Sequence, residues 1–354
     1  FQIKKIKQFP ARPYGDVEKH LKGGKFNVNA TLNEIKKTQY DNICNVMKKY
    51  TSKMIENEMF IDPKDITKYK KLLKRKKNII LQGPPGTGKT FFAEKLAYFL
   101  MGEQDDEKIK IIQFHQSYSY EDFILGYRPN ESSFELKEGE FYEFCRKAKD
   151  DPDKDSKYFF IIDEINRGNL SKIFGELMML IEADKRGKKI SLAYSRESEE
   201  QYFCEDDKFY VPDNVYIIGT MNTADRSIAM VDYALRRRFA FITLGSVFTK
   251  PKDSKEINKQ KKEEAKFKKH AKKCGWDLKD DINPMIEKIK MLNEELENRF
   301  HGPDYHIGHS YFCGEKKDVN IQDIYTYEII PLLKEYLFDV EEGERKKMEQ
   351  QLLS

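Results

Sequence analysis

The sequence predicts an α/β fold built on a mainly parallel sheet and joined to an all-helical C-terminal region. Three observations carry that expectation. Five short apolar runs stand at NIILQ (78–82), KIKIIQF (108–114), KYFFIIDE (157–164), VYIIGTMN (215–222) and FAFITL (239–244). They lack the in–out alternation of a half-solvated sheet, so both faces should be covered, as in parallel sheets. Helical patterns separate the runs, and after Leu244 only helical periodicity remains.

Taken in order, residues 1–76 read as a lysine-rich helical lead segment. Leu32, Ile35, Tyr40, Ile43 and Met47 fall on one helical face, and a second short helix covers 64–75. Residues 77–245 form the α/β domain. Within it, LSKIFGELMMLIE places Leu170, Ile173, Phe174, Leu177 and Ile181 on one face, a stripe expected to pack in the core. The segment 188–212 suggests an inserted hairpin of two strands, KKISLAY and KFYVP, joined by an acidic stretch. Residues 246–354 form the helical domain. Its lysine-rich start, 250–273, carries eleven lysines against four acidic residues; such a run suits the phosphates of DNA, but a solvated helix face or an inserted loop is the first expectation. Helices then cover 281–299, 321–337 and 341–353.

Composition bounds the function. The 354 residues suffice for two or three domains with a substantial core. The net charge of +4 is too small to establish a nucleic-acid partner by itself. Five unpaired-looking cysteines, Cys44, Cys145, Cys204, Cys274 and Cys313, form no C-x-x-C pair and predict a reduced, cytoplasmic protein. No apolar run approaches the ~20 residues of a membrane span. The first residue is Phe, so the chain reads as a fragment or a processed product.

The chemistry begins after the first strand. LQGPPGTGKT matches G-x-x-x-x-G-K-[ST] from Gly83 to Thr90, between a strand and a helix. Such a loop, here Gly83, Pro84, Pro85, Gly86, Thr87, Gly88, Lys89, Thr90 and Phe91, turns backbone N–H groups and a helix N-terminus toward phosphate. Lys89 adds a point charge, and the Thr90 hydroxyl is a ligand for Mg²⁺. KYFFIIDE then ends a buried strand on Asp163, expected in the Mg²⁺ shell, and on Glu164, expected to accept the proton of the attacking water. The strand ending in Asn222 should lie beside it, where an uncharged amide can orient that water. Three consecutive arginines, Arg236, Arg237 and Arg238, repel one another unless anionic phosphate offsets them. They are placed to serve a neighbouring subunit's nucleotide. A P-loop, a sensor asparagine and edge arginines together predict a ring-forming AAA+ P-loop NTPase with a C-terminal helical lid.

Here the motifs converge on a known family. GPPGTGKTFFAEKLAYFL, IIDEINRGNLSKIFGELMMLIE and MNTADRSIAMVDYALRRRF resemble McrB, the GTPase subunit of modified-cytosine-dependent restriction systems, as do HQSYSYEDFILGYRP (115–129) and YHIGHSYF (305–312). The match covers most of residues 78–338. The resemblance implies that Asn222, Asp225 and Arg226 arrange the lytic water and respond to an McrC-like nuclease subunit. It makes Arg237, with Arg236 or Arg238, the trans-acting finger, and turns Arg167 toward the neighbouring subunit. It further implies a homo-hexameric ring, GTP hydrolysis with Mg²⁺, and translocation on double-stranded DNA carrying modified cytosine. The Asn-Lys-x-Asp guanine motif is absent, so ATP stays open on the residues alone. No P-D…(D/E)-x-K nuclease pattern is present, in keeping with cleavage residing on the partner. The ~70 lead residues are too few and too helical for a full base-reading domain. The alternative is a MoxR-like AAA+ ATPase that remodels protein complexes. His301, His306, His309 and Cys313 have spacings that could hold zinc, but their aromatic setting resembles the family's C-terminal motif instead.

Overall fold

The computed structural model describes residues 49–130, 133–194, 208–225, 233–251 and 253–353. The five apolar runs form one parallel sheet: β1 (Asn78–Gly83), β2 (Ile109–Gln113), β5 (Tyr158–Asp163), β6 (Val215–Asn222) and β7 (Ala240–Thr243), in the order β2-β5-β6-β1-β7. Its register fixes the chemistry: Gly83 lies opposite Asn222, and Ile162 opposite Gly219. The last residues of β1, β5 and β6 therefore emerge side by side at one edge, where ligands of open α/β sheets bind.

Before the sheet lie α1 (Ser52–Glu58) and α2 (Pro63–Lys76). The Asp62 side chain caps α2 by accepting from the Lys64 amide at 2.9 Å, and Pro63 opens the first turn. Lys74, Arg75 and Lys76 in its last turn offset the negative end of the helix dipole. The expected lead helix around Leu32–Met47 lies outside the described residues.

The sheet is covered on both faces. On one, α3 (Lys89–Met101) buries Phe92, Ala93, Leu96 and Ala97 against Ile79, Leu81, Ile161 and Ile218. On the other, α4 (Tyr120–Phe123), α5 (Glu140–Asp150), α6 (Leu170–Phe174) and α7 (Leu177–Leu180) build an aromatic core. Phe123 stacks on Phe141 at 4.9 Å and meets Phe160 and Phe174 edge-on at 5.7 and 4.8 Å. A buried aromatic ring of this kind contributes about 2 kcal/mol through its area alone.

Two expectations need correction. The stripe 170–181 is fully core, but it is not one helix. Gly175 at φ 47°, ψ −130° breaks it into α6 and α7, because that backbone geometry suits a residue without Cβ. The hairpin expected at 188–212 is reduced, among the described residues, to one antiparallel bridge between Ile190 and Phe209, while 195–207 lie outside them. A hairpin does occur earlier, β3 (Leu125–Pro129) with β4 (Phe134–Glu138), between α4 and α5.

After β7 come α8's successors: with α8 at Tyr233–Arg238, the helical part comprises α9 (Ser254–Lys273), α10 (Asn283–Phe300), α11 (Ile321–Ile324), α12 (Ile330–Tyr336) and α13 (Glu342–Leu353). The helix expected over 321–337 contains a π turn, Tyr325–Ile329, ahead of Pro331. The proline ring removes an N–H and crowds the preceding turn, which the wider π turn relieves. These helices share their own core around Phe248, Phe267, Trp276, Ile289 and Leu333. No helix among the described residues is long and apolar enough to cross a membrane.

Candidate functional site

The phosphate loop is shaped by its glycines and by Lys89. Gly86 and Gly88 take left-handed φ values of 74° and 72°, letting the chain reverse into α3. The Thr87 hydroxyl donates to the Pro84 carbonyl at 2.9 Å. Lys89 Nζ donates to the carbonyls of Gly83 (3.1 Å) and Pro84 (2.8 Å). Burial lowers its pKa to about 8, against the opposing pull of Glu164 and Asp163. The result is a desolvated cation held beside a loop built for an anion. Phe91 lies one residue beyond Thr90 in α3, with its side chain 48% exposed.

Opposite the loop, β5 ends in the two carboxylates. Asp163 Oδ1 accepts from the Thr90 hydroxyl at 2.9 Å and from the Thr220 hydroxyl on β6. Glu164 sits in the left-handed region at φ 50°, a costly conformation for a residue with Cβ, and this turns its carboxylate toward β6. Oε1 accepts from the Asn222 amide, and Oε2 from Arg167 Nε at 3.3 Å. Burial raises the Glu164 pKa most strongly and the nearby Arg167 opposes it, so the carboxylate is a stronger proton acceptor than one in water. Thr220 was not anticipated. Its signal was the β5–β6 adjacency, which puts the residue two before Asn222 level with Asp163.

The loop after β6 is pinned between the sheet and the helical domain. The Thr223 amide donates to the Gly83 carbonyl at 3.1 Å, and Ala224 is buried in the helical core. Asp225 accepts from Arg167 at 3.2 Å. Arg167 was expected to turn toward a neighbouring subunit. In this chain its side chain, 47% exposed, bridges Glu164 and Asp225. Arg226 lies outside the described residues. A cavity of about 380 Å³ opens beside Asn222, Asp225, Arg167 and Pro85, with Tyr305 and Tyr336 of the helical domain also lining it.

The helical domain seats directly on the loop. The Ser310 amide donates to the Gly86 carbonyl at 2.8 Å, and a Cβ on Gly308 would lie 2.0 Å from that same peptide. Buried Asn293 on α10 holds this segment: its amide donates to the carbonyls of Phe248 (2.8 Å) and Ile307 (3.3 Å), and its oxygen accepts from the Ile307 amide at 2.6 Å. His309 is buried against Phe60 at 5.2 Å, and burial lowers its pKa to about 4, so it is neutral. No group of three metal-ligating side chains occurs among the described residues, and the His306, His309 and Cys313 cluster packs as core. A second cavity, about 330 Å³, runs from Thr87 past Phe60 and Ile61 to Gln260 and Glu263 on α9.

Arg236, Arg237 and Arg238 end α8 at the other edge of the sheet. Lys76 donates to the Arg237 carbonyl at 2.8 Å and Asn78, the first residue of β1, to the Arg238 carbonyl at 3.2 Å. Glu182 pairs with both Arg237 (2.8 Å) and Arg238 (3.0 Å). The Arg237 side chain is 71% exposed and that of Arg238 13%.

Comparison with known proteins bears on this arrangement. The AAA domain (dynein-related subfamily) profile matches residues 78–239, and that of the McrB alpha-helical lid domain matches residues 284–345. The type IV methyl-directed restriction enzyme EcoKMcrB subunit of Escherichia coli K12 is 50% identical over 293 residues, which cover 80% of this chain and 59% of the relative. The chain belongs to the McrB family. The fold of this McrB-family chain is accordingly that of an AAA+ domain with a helical lid, α9–α13 being the lid side. It spans about 59% of the length of its E. coli relative. The type II restriction enzyme BsuMI component YdiS of Bacillus subtilis is 25% identical over 74% of this chain and 79% of its own. Among solved structures, PCH-2 of C. elegans aligns at 17% identity over 82% of this chain and 67% of its own, with a TM-score of 0.33.

Proposed function

We propose that this chain is the nucleotide-hydrolysing motor of a modification-dependent DNA restriction complex. In this reading it cleaves GTP in preference to ATP at sites shared between the subunits of a cytoplasmic homo-hexamer, and an McrC-type nuclease subunit stimulates it. Double-stranded DNA with modified cytosine is the track. The observation that carries the reading is the meeting of Lys89, Thr90, Asp163, Glu164 and Asn222 at one sheet edge. Family membership supports the partner and the DNA.

The residues divide the work. The Gly86–Thr90 amides and Lys89 bind phosphate oxygens, with the helix N-terminus adding positive potential. Thr90 and Asp163 fit Mg²⁺, because a hydroxyl and a carboxylate, both hard oxygen donors, lie 2.9 Å apart beside the loop. When bound, the ion neutralises phosphate charge. Glu164 takes the proton of the attacking water, and Asn222 fixes which way its carboxylate faces. Arg167 and Asp225 hold the second Glu164 oxygen and the loop after β6, a loop to which the family resemblance adds Arg226. Arg237, with Arg236 or Arg238, completes the neighbour's site by stabilising charge on the transferred phosphoryl group.

The test is steady-state hydrolysis of GTP and of ATP, each with and without an McrC-type protein. Faster GTP turnover, raised further by that protein, is expected. ATP turnover indifferent to the partner would overturn the reading in favour of a protein-remodelling ATPase.

A further inference from the structure

Charge is distributed very unevenly in this chain. Helices α2 and α9 together hold sixteen Lys and Arg against four Asp and Glu, a local excess of twelve in a chain of net charge +4. Everything outside these two helices therefore carries a net charge of −8. The two helices are also neighbours. Lys259 pairs with Asp65 at 2.7 Å, Lys262 with Asp62 at 3.5 Å, and Lys266 donates to the Ile61 carbonyl at 2.6 Å. Three of the acidic groups in this region, Asp62, Asp65 and Glu263, thus serve the junction and leave the outer faces cationic.

The two helices run antiparallel at this junction and extend past it in opposite directions, each with regularly spaced cations. On α2, Lys68, Lys71 and Arg75 are exposed at i, i+3 and i+7. On α9, Lys269, Lys272 and Lys273 lie at i, i+3 and i+4, with Lys272 and Lys273 exposed alongside Lys269. None of these six exposed side chains forms an ion pair among the described residues, so each triplet is open to an external anion. A protein partner would need apolar anchors at the centre of its contact. Within α2 and α9 the one exposed large apolar side chain is Ile257, at 38%. Five of the six cations are lysine, a point charge suited to phosphate, whereas base reading favours arginine's bidentate fork. The helices are 14 and 20 residues long, so at 1.5 Å per residue they reach about 20 and 30 Å, comparable to a turn of duplex.

We infer that the cationic segments of α2 and α9, at the two ends of this helix pair, together form a binding surface for the phosphate backbone of duplex DNA, without regard to base sequence or modification. The inference rests on the DNA-motor reading, yet it assigns the contact to the AAA+ and lid side of the molecule and not to a base-reading domain. Such a surface would hold the track between strokes of the motor.

The test uses the full chain with a non-hydrolysable nucleotide and an unmodified, fluorescently labelled 30-base-pair duplex, titrated by anisotropy across a salt series. Lys68, Lys71, Arg75, Lys269, Lys272 and Lys273 are changed together to Glu, and in a second variant to Gln. Wild-type affinity should fall steeply with salt. The Gln variant should bind at least about tenfold more weakly with a shallower salt slope, and the Glu variant more weakly still. Nucleotide turnover without DNA should match wild type in both, which separates loss of this surface from failure of the motor. Unchanged DNA affinity and slope in variants of normal turnover would overturn the proposal. So would equally tight competition by polyglutamate, which would mark the surface as an acidic-protein dock.

Discussion

At the C-terminal edge of the sheet, Lys89 bonds to the loop carbonyls, Thr90 to Asp163 and Asn222 to Glu164, whereas at the N-terminal edge Arg237 and Arg238 share the carboxylate of Glu182. The first edge is inward-facing and crowded: Lys89 is 8% exposed, and burial dominates the titration of both Lys89 and Glu164. The second is outward-facing, with Arg237 mostly in solvent. The six residues of β1 separate them, about 20 Å of extended chain. A guanidinium cannot cross that gap, so Arg236, Arg237 and Arg238 do not reach the phosphate loop of their own chain. In the proposed reading, the first edge binds nucleotide and the second completes a neighbour's site.

Breaking the outer edge alone should have the largest effect. Arg237→Ala should leave nucleotide affinity and melting temperature near wild type while turnover in the assembled ring drops ~10³-fold or more. A drop in affinity equal to the drop in turnover would place Arg237 in its own chain's binding site. Glu164→Gln cuts the inner edge at the chemical step. Turnover should fall by ~10²–10⁴ with nucleotide still bound, as equilibrium binding and single-turnover assays would show. Near-normal turnover would mean that another group accepts the proton.

Gly308→Val sharpens the comparison by striking the seat of the lid on the phosphate loop. Its Cβ would lie 2.0 Å from the Gly86 peptide, so the lid must lift. Overpacking of this kind costs ~1–3 kcal/mol, and nucleotide affinity should weaken about tenfold or more, with a lower melting temperature. An unaffected Kd would mean that the lid contributes nothing to the grip. The smallest effect is a pH dependence confined to the inner edge. Lys89 is charged below its pKa of about 8 and neutral above it, and phosphate binding requires the charge. Affinity should be flat below that pH and should fall by up to about tenfold per unit above it, since binding then takes up a proton.

Much of this was legible in the sequence because it is written in local patterns. The five strands were visible as apolar runs bounded by polar ends, and the phosphate loop as glycines flanking Lys89. The adjacency of Asp163 and Asn222 followed from two strands ending in polar residues on a parallel sheet. What was not legible depends on long-range contact. The β3–β4 hairpin lies in a stretch whose charge and aromatic pattern shows no clean alternation. The break at Gly175 is imposed by packing of Tyr120 against it, and the cis pairing of Arg167 with Asp225 spans fifty-eight positions of chain. The seating of Gly308 on Gly86 needed the lid to be placed in space.

The most direct measurement mixes two inactive subunits. Lys89→Ala cannot hold phosphate and Arg237→Ala cannot finish a neighbour's site, so each alone should be silent. In a mixed ring, an interface that joins an intact loop on one subunit to an intact arginine on the next is whole, and turnover should reappear on mixing. If the mixture stays as inactive as its components, while each variant still assembles, the shared site is contradicted.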